Sequence, residues 1–271
     1  MPTRKIPLMS TTLHILGSGS SGNAALVRHG DFGLLIDCGL SSKELGVRLA
    51  QCGCTWADVN LVVLTHTHSD HWNKYALEHL RRAKIPLLAH ESHHHQLWAV
   101  PAYEPLHRAG LLRTYASDSP MTLADGIELT ACAVAHDADP TYALRVQFGG
   151  RTLGWATDLG GVDEALLAFL TGVHVLGLEF NHDVPMQRTS RRPKFLIDRV
   201  LGDYGHLSNE QAADALDFWQ EHDSLHAVVQ LHLSRECNTA TLARAAGLQA
   251  LGPRVTLHTA HASVPIAGIL L

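Results

Sequence analysis

Between positions 65 and 71 the chain reads Thr65-His66-Thr67-His68-Ser69-Asp70-His71, three imidazoles and a carboxylate directly after the apolar run Leu61-Val62-Val63-Leu64. A short apolar run bounded by polar residues predicts a buried strand. A strand fixes where its outgoing chain begins, so nitrogen and oxygen ligands placed there share one rim, as a divalent transition metal requires. With 20 His in 271 residues, some clustering arises by chance. The metal reading gains its weight from other predicted strands that also end in a ligating residue: Asp37, His136, Asp158, Glu179 and His232. One His at a strand end is ordinarily a satisfied structural residue, but several can converge on one rim.

Composition narrows the class. With 46% hydrophobic and 17% charged residues, the chain can bury a sizeable core and carries no signature of disorder. Its 271 residues suit one large domain spanning 1–271, with 1–12 expected as a loosely ordered N-terminus. The net charge of -5 excludes a bulk basic surface for nucleic acid. It does not exclude an anionic substrate, because two bound divalent cations invert the local charge of a site. Five cysteines form no disulfide framework, and Cys52-Gly53-Cys54 is not a CxxC motif, so a reducing cytoplasm is the simpler compartment. The N-terminal stretch lacks the apolar segment of a signal peptide, and Met1 and Met9 both offer a start. The apolar end Val264–Leu271 is far short of the about 20 residues that cross a bilayer, and predicts an edge strand or packed tail.

Along the chain, strands are expected at Leu13–Leu16, Ala24–Arg28 and Phe32–Ile36, and a hairpin turns at Gly149-Gly150 between Tyr142–Phe148 and Arg151–Ala156. Ser208 with Gln211 forms a capping-box signature for a helix to about Glu221. The loop Gly17-Ser18-Gly19-Ser20-Ser21-Gly22-Asn23 either donates amides to an anion or is a plain hairpin connection; it is not a Walker loop. Asp37 either orients a ligating His or caps a turn. His93, His94 and His95 point in different directions on a helix, cannot all face one metal, and are expected to be mostly solvated. The strand-then-helix pattern recurs in both halves, which suggests two halves packed around one site.

The pattern His66-x-His68-x-Asp70-His71, followed by His136, Asp158 and His232, resembles the metallo-β-lactamase-fold hydrolases over about Leu13 to Leu248. The closer resemblance is to the YycJ/WalJ-like subgroup. It is carried by the Gly17–Asn23 loop, Leu35–Ser41, Glu179–Asp183, Gly205–Glu210 and His232–Asn238. Departures near Phe180 and Cys237 remove no ligand. The resemblance implies an α/β fold, a four-layer α/β/β/α sandwich with the site at one edge of the two sheets. By the same resemblance His66, His68 and His136 hold one metal, Asp70, His71 and His232 the other, and Asp158 bridges them. The cofactors so implied are two divalent metal ions, zinc foremost, with manganese or iron also compatible with the carboxylates. Like ribonuclease Z, the subgroup looks to carry a Glu–His dyad, here Glu179 and His206, so Asp70, Glu179 and His206 are the expected catalytic residues.

His182, near the same rim, either meets substrate or serves structure. Arg188, Arg191, Arg192 and Lys194 form the one basic cluster, which either holds backbone phosphates or is a solvated loop. The expected function is a dinuclear metal-dependent phosphodiesterase or nuclease, in particular a DNA exonuclease, using a metal-bridging hydroxide. A thioesterase or lactonase on the same metal pair is the alternative, and a non-enzymatic metal-binding protein a third. No membrane partner is expected, and the oligomeric state is not legible.

Overall fold

The computed structural model describes residues 10–137 and 140–271. The first half builds a sheet from β1 (Thr11–Gly17), β2 (Ala24–His29), β3 (Phe32–Ile36), β4 (Leu61–Val63), β5 (Leu87–His90) and β6 (Leu112–Tyr115). The second half builds another from β7 (Met121–Ala124), β8 (Ile127–Val134), β9 (Thr141–Phe148), β10 (Arg151–Ala156), β11 (Val175–Glu179), β12 (Ala227–Leu231) and β13 (Thr256–Thr259). The last strand, β14 (Ile266–Leu270), returns to the first sheet as an edge strand beside β1, as expected of the apolar end. The strand orders are β14-β1-β2-β3-β4-β5-β6 and β13-β12-β11-β10-β9-β8-β7.

Alternation along the strands sets the layers. Leu34, Ile36 and Val63 of the first sheet meet Leu144, Leu153, Trp155 and Val229 of the second in the core between the sheets. Their neighbours Leu35 and Val62 point the other way, under α1 (Ser42–Gln51) and α2 (Lys74–Ala83), against Leu45, Leu49, Leu77 and Leu80. On the far side, Leu176, Leu178 and Val228 pack against Leu166, Leu216, Trp219 and Ala243 of the outer helices. Strands covered on both faces read as unbroken apolar runs. Each fully buried Leu or Val contributes about 1.5–3 kcal/mol relative to exposure. The result is the α/β/β/α sandwich implied by the family resemblance.

Helices α3 (His94–Leu97) and α4 (Glu104–Arg108) are short. The second half adds α5 (Glu164–Leu170), α6 (Val184–Thr189), α7 (Lys194–Leu201), α8 (Asn209–Gln220) and α9 (Ala240–Ala250). Ser208 and Gln211 do form the reciprocal capping box of α8. Two expectations are corrected. Thr11 and Thr12, placed in a loose N-terminus, open β1 and pair with β2 and β14; residues 1–9 lie outside the described residues. His93 is fully buried rather than solvated, with Nε2 donating to the Pro140 carbonyl at 3.0 Å.

Direction positions the site. Strands β3, β4 and β5 are parallel, as are β10, β11 and β12. Two antiparallel steps, β8 to β9 and β9 to β10, return β8 to the direction of β10. Open sheets of this kind gather ligands at the carboxyl ends of their parallel strands. Here those ends carry Asp37, the 65–71 loop, His136, Asp158, Glu179 and His232.

Candidate metal centre

The 65–71 loop is pinned by the end of β3. Asp37, buried and in the left-handed region at φ 59°, accepts the Thr65 N–H at 2.9 Å and the His71 Nδ1–H at 2.7 Å. It therefore both orients a histidine, as one reading of Asp37 expected, and holds the first amide of a loop 28 positions along the chain. The His71 Nε2 is left facing inward, 3.2 Å from Asp158 Oδ2 and 3.7 Å from Asp70 Oδ2. The Gly17–Asn23 segment is the β1–β2 connection, and it also braces the site. Asn23 Nδ2 donates to Asp70 Oδ2 at 3.2 Å, and Ser18 Oγ accepts the His232 N–H at 2.7 Å.

Gly39 lets the loop approach. A Cβ there would lie 1.7 Å from the Asp70 carbonyl oxygen. Asp158 and His232, at φ 59° and 56°, repeat the left-handed exit seen at Asp37. Such conformations are uncommon outside glycine and are concentrated at functional sites.

The donor atoms sort into sets. His66, His68 and His136 bring ligand atoms within 4.8 Å of one another, and so do Asp70, His71 and His232. Asp158 lies between them, grouped with His66 and His71 on one side and with Glu179, His206 and His232 on the other. His66 Nε2, His136 Nε2 and Asp158 Oδ2 are buried with no hydrogen-bond partner. Orphaned buried polar atoms are costly, and imidazole nitrogens and a carboxylate oxygen aimed at a common point fit a divalent cation. These residues could hold metal ions.

The charges agree. Burial alone would raise the carboxyl of Asp70, yet His71 and His232 bring it to about 2. Asp158 is likewise held well below the carboxylate range by His232 and His71 against the cost of burial. His66 is driven well below its usual range by burial and the neighbouring His71, and His136 is lowered by burial, so both present neutral nitrogens.

Glu179 anchors the second sheet's side. Its carboxylate is fully buried and accepts four donors: His206 Nδ1 at 2.8 Å, His232 Nδ1 at 2.9 Å, and the N–H groups of Leu159 and Leu207 at 2.9 and 3.1 Å. Burial would raise it, but His206 and His232 hold it at about 2. With both Nδ1 atoms tied back, the Nε2 edges of His206 and His232 face the cavity. The neighbouring Gly205 carbonyl accepts the His136 Nδ1–H at 2.8 Å and so sets that ring too. The cavity, about 910 Å³, is lined by His68, Asp70, Asp158, His206 and His232 together with Arg191, Arg192 and Arg199.

Residues 33–225 match the β-lactamase superfamily domain model. The chain is 30% identical over 248 residues to an exodeoxyribonuclease YycJ of Bacillus anthracis, covering 90% of each chain. The chain belongs to the β-lactamase superfamily, in the YycJ/WalJ group. It is also 29% identical to an exodeoxyribonuclease WalJ of Streptococcus pneumoniae over 84% of each chain. The metallo-β-lactamase-fold protein YhfI of Bacillus subtilis superposes with a TM-score of 0.69 at 18% identity, covering 95% of this chain and 99% of that one. As a superfamily hydrolase, this chain brings the seven expected ligand positions together where the strand ends of its two sheets meet.

The basic cluster divides. Arg191 and Arg192 reach the cavity wall, and Arg192 is held there by Glu236, Ser234 and Gln187. Arg188 and Lys194 line an adjoining hollow instead, and Lys194 pairs with Asp198. His182 is buried beside Ser208 and does not line the cavity, and burial lowers its pKa to about 4. Sequence reasoning missed Asn23, Ser18, Asp137 and Arg199 as site residues. The local signals among them were the Gly/Ser-rich loop that holds Ser18 and Asn23 and the His-Asp dipeptide at 136–137. No helix among the described residues is long and apolar enough to cross a membrane.

Proposed function

We propose that this protein is a dinuclear metal-dependent phosphodiesterase that acts on nucleic acid, and in particular an exonuclease on DNA. The observation that carries this is His206, held from behind by buried Glu179, on the wall of a cavity that both donor sets reach. The similarity to proteins named exodeoxyribonucleases supports the same reading. At about 910 Å³ the cavity lies near the top of the range of about 300–1,000 Å³ usual for small-molecule pockets, and its arginine wall suits a polyanion.

On this reading His66, His68 and His136 would hold one ion and Asp70, His71 and His232 the other, with Asp158 lying between the two sets. Bound there, the ions, zinc foremost, would supply an acidified water and charge stabilisation for the attacking and leaving oxygens. The chain's own part is proton handling. Burial opposes a proton on His206, but the Glu179 charge and hydrogen bond, with Asp158, raise its pKa. The raised pKa favours the doubly protonated ring, in which Glu179 accepts the Nδ1–H and Nε2 carries the second proton. Nε2 can pass that proton to the leaving oxygen. Asp37 and Glu179 orient His71 and His232, and Gly205 orients His136, so the ligand rings cannot turn away. The five free cysteines support a reducing compartment such as the cytoplasm.

The test is turnover by metal-loaded protein on bis-p-nitrophenyl phosphate, single- and double-stranded DNA, RNA and a thioester panel. Cleavage of DNA from one end is expected. Hydrolysis of thioesters with inert phosphodiesters would replace this reading with that of a thioesterase.

A further inference from the structure

Arg199 lies outside the basic stretch at 188–194, on α7, and lines the same cavity as His68, Asp158 and His206. Its guanidinium grips Asp137 side-on: Nε donates to Oδ1 at 2.8 Å and Nη2 donates to Oδ2. Asp137 is itself placed with care. It follows His136 at φ 36°, its N–H donates to the Tyr204 carbonyl at 2.8 Å, and its Oδ2 lies 3.6 Å from His136 Nε2 and 3.8 Å from His68 Nε2. The pair therefore sits over the His66/His68/His136 set.

A guanidinium presents its N–H donors on two usable edges. The side-on contact uses Nε and one Nη2 proton, which leaves the Nη1/Nη2 edge. That edge matches two oxygens of a phosphate in a bidentate pair. The Arg199 side chain is 50% exposed, so this edge is reachable. The other cavity arginines differ: Arg192 is already claimed by three side chains, and exposed Arg191 has no partner among the described residues that would fix its direction. Among the described residues, Arg199 is the cavity guanidinium that is both oriented and open on one edge.

We infer that Arg199 is a substrate-contacting residue that grips a backbone phosphate against the His66/His68/His136 set, with Asp137 as the positioning residue that aims it. The inference rests on the phosphodiesterase reading of this site. It makes Arg199 a determinant of substrate class, because a thioester or lactone carbonyl offers no pair of anionic oxygens to that edge.

Two measurements test it. In steady-state kinetics on an oligonucleotide, Arg199→Gln is expected to lose about 10- to 100-fold in kcat/KM, the worth of a charge-assisted hydrogen-bonded pair, with metal content and melting temperature unchanged. Asp137→Asn is expected to raise KM with a smaller loss. In equilibrium binding of single-stranded DNA to a His206→Ala background, Arg199→Gln is expected to flatten the dependence of log affinity on log salt by about 0.7, the loss of one phosphate contact, whereas Arg199→Lys retains the slope. Unchanged kcat/KM and unchanged slope in Arg199→Gln would overturn the inference. If that variant does not fold, wild-type kcat/KM in both Arg199→Lys and Asp137→Asn would overturn it instead. A wild type that binds DNA but cleaves no phosphodiester would remove the proposed function, and the salt slope alone would then decide the role of Arg199.

Discussion

The Glu179 carboxylate and the His206 ring meet at 2.8 Å, and the same oxygen, Oε1, accepts the His232 Nδ1–H at 2.9 Å. One buried acid thus orients a cavity-facing histidine and a histidine of the Asp70/His71/His232 donor set together. Replacing either histidine separates the two duties. His206→Ala is expected to keep its metal while losing about 10²- to 10⁴-fold in turnover on phosphodiesters. Metal analysis and steady-state rates check this, and an unaltered rate would make His206 structural.

Glu179→Gln should act on both duties. Loss of its support for His232 is expected to weaken metal affinity by about 10- to 100-fold. It also removes the charge that raises the His206 pKa. A general acid loses rate as pH rises through its pKa, so lowering that pKa moves the basic limb of the kcat/KM profile to lower pH. A limb that stays in place would belong to another group.

Metal uptake should release protons. Burial disfavours protons on His71 and His232, but Asp37 and Asp158 for the first, and Asp158, Asp70 and Glu179 for the second, raise both well above the usual histidine range. Metal-free protein therefore holds protons there at neutral pH that binding must displace. The sign for stability follows. With folded values raised, this contribution is fully present below the unfolded pKa of about 6.5 and is lost as pH rises through the folded values. Calorimetry of metal binding in buffers of different ionisation enthalpy, with thermal melts of metal-free protein across that range, checks both.

Asp158→Ala should abolish turnover and lower metal content, because Asp158 lies between the two donor sets. It should also destabilise the metal-free protein, since His71 and His232 lose the carboxylate 3.2 and 3.3 Å away that compensates their buried charge. Full activity with no metal loss would refute the site.

Gly205→Ala should cost about 1–3 kcal/mol of stability through overpacking. A Cβ there would lie 2.3 Å from the Arg199 and Val200 carbonyl oxygens. The displaced Gly205 carbonyl would also release the His136 ring, so metal affinity should fall with stability. Urea denaturation and metal titration together test this; a stability loss with intact metal affinity would show that the ring is held by other contacts.

Much of this protein was legible in one dimension. The 65–71 run, the apolar strands and the ligating residues that end them are local patterns, because a strand covered on both faces must be apolar and its last residue must point at the rim. That was enough for the strands, the hairpin at Gly149-Gly150 and the candidate donor residues, while the four layers followed from the family resemblance. Tertiary structure decided which of them meet. Arg199 and Asp137 are 62 positions apart, His136 and Gly205 69, and Asn23 and Asp70 47. No periodicity encodes such contacts, since each depends on how two sheets stack and where α7 returns. For the same reason a contiguous basic stretch divided, with Arg191 and Arg192 on the cavity wall and Arg188 and Lys194 turned to an adjoining hollow. The chemistry of the donors was written in the sequence; their aim came from buried hydrogen bonds that only the folded chain can close.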